Sequence, residues 1–124
     1  MSGFDLEQVY LALGSAGTVA ELPGETFMDR LALSPPDMTY LMGVYPVSTD
    51  WPHWEMHPAG HEVLVMLEGR LEMVIDHEGA VTSHEMGPGT TLVMPPGAWH
   101  RAKVIEPGRL LGVTCGLGTE HRPA

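Results

Sequence analysis

Cysteine is nearly missing from this chain of 124 residues, with Cys115 the only one. A lone thiol excludes a disulfide framework and a thiolate zinc knuckle. Between Gly112-Val113-Thr114 and Gly116-Leu117 it reads as a buried, unreactive side chain. Basic residues are scarce too. Six Lys and Arg stand against sixteen Asp and Glu, for a formal net charge of -10. That balance argues against nucleic acid as a partner and against an anionic membrane surface. No apolar run reaches the length of a membrane span, and the acidic start, residues 1–7, lacks a basic segment leading into an apolar one. The expectation is a soluble, cytoplasmic protein.

Glycine and proline, by contrast, are plentiful, with 15 and 11 copies. They punctuate short apolar runs at intervals of roughly eight to twelve residues, the pattern of an all-β sandwich or barrel. One domain spans residues 1–124, with a core barrel at about 38–115. Residues 4–13 suit a short helix or an irregular strand, 19–22 a strand, and 25–33 a helix of about two turns closed by Ser34-Pro35-Pro36. Strands follow at 38–47, 62–68, 70–76, 83–86, 90–94, 99–105 and 109–115. Gly69 and Pro107-Gly108 read as turns, and the polar tail 116–124 is expected along the surface. Alternation aims Leu71, Met73 and Ile75 inward, and puts His100, Ala102 and Val104 on one buried wall.

The chemistry concentrates between Trp51 and Gly69. Three histidines (His53, His57, His61) and two carboxylates (Glu55, Glu62) fall within about ten residues, directly before the apolar run Val63-Leu64-Val65-Met66-Leu67. A strand through Trp54 and Met56 puts His53, Glu55 and His57 on one face. A buried carboxylate such as Glu62 is costly unless paired, hydrogen-bonded or bound to a cation. His and Glu donors converging from strands are also what a first-row metal requires. Two readings stay open: metal ligation, or a metal-free cluster with Glu62 neutral or paired to a histidine. His53 is a weaker candidate ligand, and His61 should point away from Glu62. Trp54 and Trp99 are out of phase with their neighbouring ligand candidates, which favours packing behind the site.

Two segments, Glu55-x-His57-x4-Glu62-x6-Gly69 and Gly89-x5-Pro95-x-Gly97-x2-His100, resemble the two motifs of the cupin superfamily. Glu55 stands where the first motif begins with histidine, and Val104 where the second ends in asparagine. The run WEMHPAGHE also looks like that of small single-domain bacterial cupins. The resemblance implies a jelly-roll β-barrel (a double-stranded β-helix) with a short N-terminal extension. It also implies a divalent metal held by His57, Glu62 and His100, with Glu55 in the place of the first histidine. A two-His, two-carboxylate set suits Fe(II), Mn(II), Ni(II) or Zn(II).

Leu64, Met66, Met73 and Ala102 are the candidate pocket-lining residues. The resemblance further implies a small-molecule partner and a homodimer. One function is a metal-dependent dioxygenase, isomerase or lyase acting on a small oxygenated substrate. Glu55 is then the candidate base where it is not a ligand. The other is a non-catalytic sensing module, like the cupin domain of anti-sigma factors. No lysine supports a metal-free sugar-modifying cupin.

Overall fold

The computed structural model describes residues 2–27 and 36–124. Most of the expected helix at 25–33 lies outside the described residues, and its beginning falls in a single 3-10 turn at Gly24–Thr26. The described residues form nine strands. They are β1 (Val9–Leu13), β2 (Val19–Pro23), β3 (Tyr40–Val47), β4 (His53–Met56), β5 (Glu62–His77), β6 (Ala80–Met86), β7 (Thr91–Met94), β8 (Trp99–Thr114) and β9 (Glu120–Pro123). Every pairing is antiparallel.

Two strands of 16 residues, β5 and β8, organise the barrel. They pair along their whole length, from Glu62 opposite Thr114 to Asp76 opposite Trp99. The first half of β5 takes β7 on its other side and the second half takes β6. The last half of β8 takes β3, and its start meets β4. Each long strand therefore changes neighbours along its length within one continuous nine-stranded sheet among the described residues, as in a jelly roll that closes over one core.

The bend lies at two glycines. Register shifts interrupt the β5–β8 ladder at Met66/Glu68, Glu68/Arg70 and Arg70/Leu71. Gly69 sits there with φ 78°, and its backbone abuts Gly108 of β8 so closely that an added Cβ on either would meet main-chain atoms. The bulge flips the inward parity of β5, so that Glu62, Leu64 and Met66 are buried before it and Leu71 and Met73 after it. Residues read from sequence as turns at Gly69 and Pro107-Gly108 are instead corners inside continuous strands. At Glu78-Gly79 the turn is real: φ is 52° and 78°, the two-residue hairpin geometry that joins β5 to β6.

The core gathers Val47, Leu64, Met66, Leu71, Met73, Met86, Met94, Ala98, Ala102 and Leu110. Four methionines let unbranched chains fill the irregular space inside the curved sheet. The tail lies along the surface, as expected, and does so as a strand. It forms β9, which pairs with β4 from His53 opposite Pro123 to Met56 opposite Glu120. Arg122 anchors it: its guanidinium meets Asp76 at 2.6 Å and lies over the rings of Trp54 and Trp99, 5.1 and 4.6 Å from their centroids. Cys115 is only half-buried rather than fully enclosed.

Candidate metal centre

Strand parity brings the donors together. Glu55 on β4 faces His100 on β8 as a direct register partner, and Glu62 at the start of β5 faces Thr114 near the end of β8. His57 follows β4 immediately, and its carbonyl accepts the amide of Gly97 at 3.1 Å. That bond ties the first motif to the Pro95-Pro96-Gly97 turn of the second, where Gly97 has φ 82° and Ala98 N donates to Pro95 O.

His57, Glu62 and His100 are all buried, with relative exposures of 4%, 5% and 0%. Glu62 spans both rings: one carboxylate oxygen lies 3.3 Å from His57 Nε2 and the other 3.0 Å from His100 Nε2. Glu55, at 29% side-chain exposure, sits 3.9 Å from each of the same nitrogens. Donor atoms of Glu55, His57 and His100 lie within 4.8 Å of one another.

The far side of each imidazole fixes which nitrogen carries hydrogen. His100 Nδ1 lies 3.1 Å from the carbonyl of Ala98, which can only accept. His57 Nδ1 lies 2.8 Å from Thr119 Oγ1, whose own hydrogen goes to Gly116 O at 2.8 Å. Both Nδ1 atoms therefore donate, leaving the Nε2 lone pairs aimed at Glu62. Glu62 accepts a further bond from Thr114 Oγ1 at 2.6 Å.

Lone pairs on nitrogen and carboxylate oxygen repel unless a cation or a proton stands between them. His57 Nε2, His100 Nε2 and Glu62 Oε1 are buried and lack hydrogen-bond geometry to any partner, though they are close enough to attract as ions. Such orphaned atoms in a converging His/Glu set are what a bound metal satisfies. In the metal-free protein protons take that role. Burial alone would raise the Glu62 carboxyl, but the two imidazoles outweigh it and hold its pKa at about 2. Burial alone would lower His100, but Glu62 and, more weakly, the Ala98 carbonyl and Glu55 raise it above its ordinary value.

A cavity of about 420 Å³ opens beside these donors. Leu41, Tyr45, Val47, Leu64 and Leu110 form its apolar wall, and Trp51 lies at the polar end with its ring 6.0 Å from that of His100. Gly43 and Gly112, opposite each other on β3 and β8, leave room for the stacked rings of Tyr10 and Tyr45. Burial first, then Tyr10, Glu62 and Glu55, push the Tyr45 phenol up to about 12, so it stays protonated.

Of the expected lining residues, Leu64 borders the cavity. Met66, Met73 and Ala102 do not; they point inward but fill the core beyond it. His53 and His61 are exposed, and His53 lines a smaller hollow with His121, whose Nε2 lies 3.6 Å from Glu55 Oε1. Sequence reasoning missed Thr114, Thr119, Tyr45 and Trp51. Only Thr114 left a usable signal, an isolated hydroxyl on the inward parity of an apolar strand.

The cupin domain family matches residues 41–114. This chain belongs to the cupin domain family. No curated protein matches it. Among solved structures this cupin is similar to a cupin-2 domain containing protein from Shewanella frigidimarina NCIMB 400, at 19% identity and a TM-score of 0.54, covering 72% of this chain and 91% of that one. It is also similar to hydroxypropylphosphonic acid epoxidase from S. wedmorenis, at 20% identity and a TM-score of 0.53, covering 61% of this chain and 43% of that one. An oxalate decarboxylase variant from Bacillus subtilis matches at 16% identity and a TM-score of 0.60, covering 75% of this chain but 26% of that one. At these identities the likeness establishes the fold, and function rests on the site itself.

Proposed function

We propose that this cupin is a metal-dependent enzyme that acts on a small oxygenated molecule in the cavity beside Glu55, His57, Glu62 and His100. The observation that carries the reading is the set of three buried, unpartnered atoms, His57 Nε2, His100 Nε2 and Glu62 Oε1, facing one another. A divalent ion bound there supplies Lewis acidity toward a substrate oxygen, or a centre for oxygen chemistry. The two-His, two-carboxylate set suits Fe(II), Mn(II), Ni(II) or Zn(II).

The chain's own residues prepare the donors. Ala98 O and Thr119 Oγ1 hold the two imidazoles in the ligating tautomer. Thr114 orients Glu62. Glu55 is the fourth donor in this reading, and the most exposed of the four. The apolar wall lowers the polarity of the surroundings beside the donors, which strengthens electrostatic contacts there. A homodimer belongs to the same reading, since β2 pairs on one side only, with β1, among the described residues.

The test is elemental analysis of protein purified without chelator, beside His57→Ala and His100→Ala, followed by a turnover screen of small carbonyl and enediol compounds. Stoichiometric metal lost from both variants, together with turnover, supports the proposal. Metal content unchanged in both variants contradicts the site. Stoichiometric metal without turnover reassigns the barrel as a sensing module.

A further inference from the structure

We infer that the cavity selects a neutral, largely apolar small molecule with a hydroxyl or carbonyl oxygen at one end, and discriminates against carboxylates and phosphonates. The inference deepens the metal reading above and rests on it for which end of the cavity receives the ligand's oxygen.

Size and lining set the first half. About 420 Å³ is in the range of small-ligand pockets, and its apolar lining is Leu41, Val47, Leu64 and Leu110. The polar side chains are those of the donor end, Glu55, His57, Glu62, Thr114 and Thr119, together with the Tyr45 phenol. A ligand filling this space therefore presents one polar end and buries the rest.

Charge sets the second half. Among the described residues the lining holds no Lys or Arg. The chain has six such residues, and those described are committed elsewhere or exposed. Arg70 pairs with Glu85, Arg101 donates to Trp51 O, and Arg109 pairs with Glu7, Glu68 and Asp5. Arg122 pairs with Asp76, and Lys103 is exposed on β8, while Arg30 lies outside the described residues.

The polar end holds carboxyl, imidazole and hydroxyl side chains, and no Lys or Arg lines the cavity among the described residues. An anionic head group entering there would be desolvated with no Lys or Arg to pair with, whereas a neutral oxygen meets groups it can hydrogen-bond.

Phenol and benzoate form a matched pair of probes, with phenylphosphonate as a second anion. Titration calorimetry and ligand-observed NMR are run on zinc-loaded and chelator-treated protein. Phenol should bind the zinc-loaded protein at least about tenfold more tightly than either anion. Glu55→Gln should strengthen benzoate, and Gly112→Val, which projects into the cavity, should weaken phenol. Benzoate binding as tightly as phenol overturns the inference, as does failure of phenol to bind at millimolar concentration. A phenol preference that persists in protein unable to take up zinc upholds the ligand class and sinks the metal reading. Zinc uptake with benzoate preferred does the reverse.

Discussion

Glu55 and His100 stand directly opposite each other on β4 and β8, and a Glu55 oxygen reaches to 3.9 Å from His100 Nε2. This single register pair places the exposed edge of the site against its most buried member. β4 is in turn held by β9, so the tail of the chain helps to fix the donor geometry. Sheet pairing thus does for Glu55 what hydrogen bonds do for the two histidines.

Thr119 tests the tautomer argument. Its hydroxyl accepts from His57 Nδ1 and donates to Gly116 O. Thr119→Ala should lower metal affinity by roughly 10- to 100-fold, the usual effect of losing a histidine's outer partner. Thr119→Ser should restore most of it. Calorimetric metal titrations, with circular dichroism confirming an intact fold, provide the measurement.

The Glu62–His100 contact fixes a pH dependence for the chelator-treated protein. Glu62 has a folded pKa of about 2 against an ordinary 4.5, so its contribution is present above 4.5 and lost as pH falls toward 2. His100 is raised above its ordinary 6.5, so its contribution is full below 6.5 and lost as pH rises through the folded value. Stability should therefore peak between the two ordinary values, 4.5 and 6.5. Urea midpoints measured across that range and up to alkaline pH should decline on the alkaline side. Added metal should reverse the decline, since ligation needs unprotonated histidines and tightens with pH.

Gly108 tests the corner. Its added Cβ would collide with the Glu68 carbonyl across the β5–β8 ladder, where rigid main chain cannot move aside. Gly108→Ala should cost about 2 kcal/mol or more, in the range of overpacked cores. Gly89→Ala, where space is open but φ is 87°, should cost less, through backbone strain alone. Denaturant melts of the two variants supply the comparison.

Strand parity put His53, Glu55 and His57 on one face and His100 on a buried wall; the jelly-roll barrel and the four-donor set came from the resemblance to the cupin motifs. Glu55, His57, Glu62 and His100 do come together in the structure. Parity says which side of a strand faces in, but not which end of the barrel. Met66, Met73 and Ala102 are inward yet lie beyond the cavity for that reason. Gly69 and Gly108 misled because glycine marks a turn and a tight corner alike. The β9 strand left little trace, since its place depends on Arg122 meeting Asp76, Trp54 and Trp99, all distant in sequence.

The most direct measurement is anomalous diffraction from crystals grown with Mn(II) or Zn(II), collected on either side of the metal's absorption edge. The account predicts one strong peak within coordination distance, about 2.0–2.2 Å, of His57 Nε2, His100 Nε2 and a Glu62 oxygen. Well-ordered crystals with no peak at that point, or with the metal only on surface carboxylates, would contradict it.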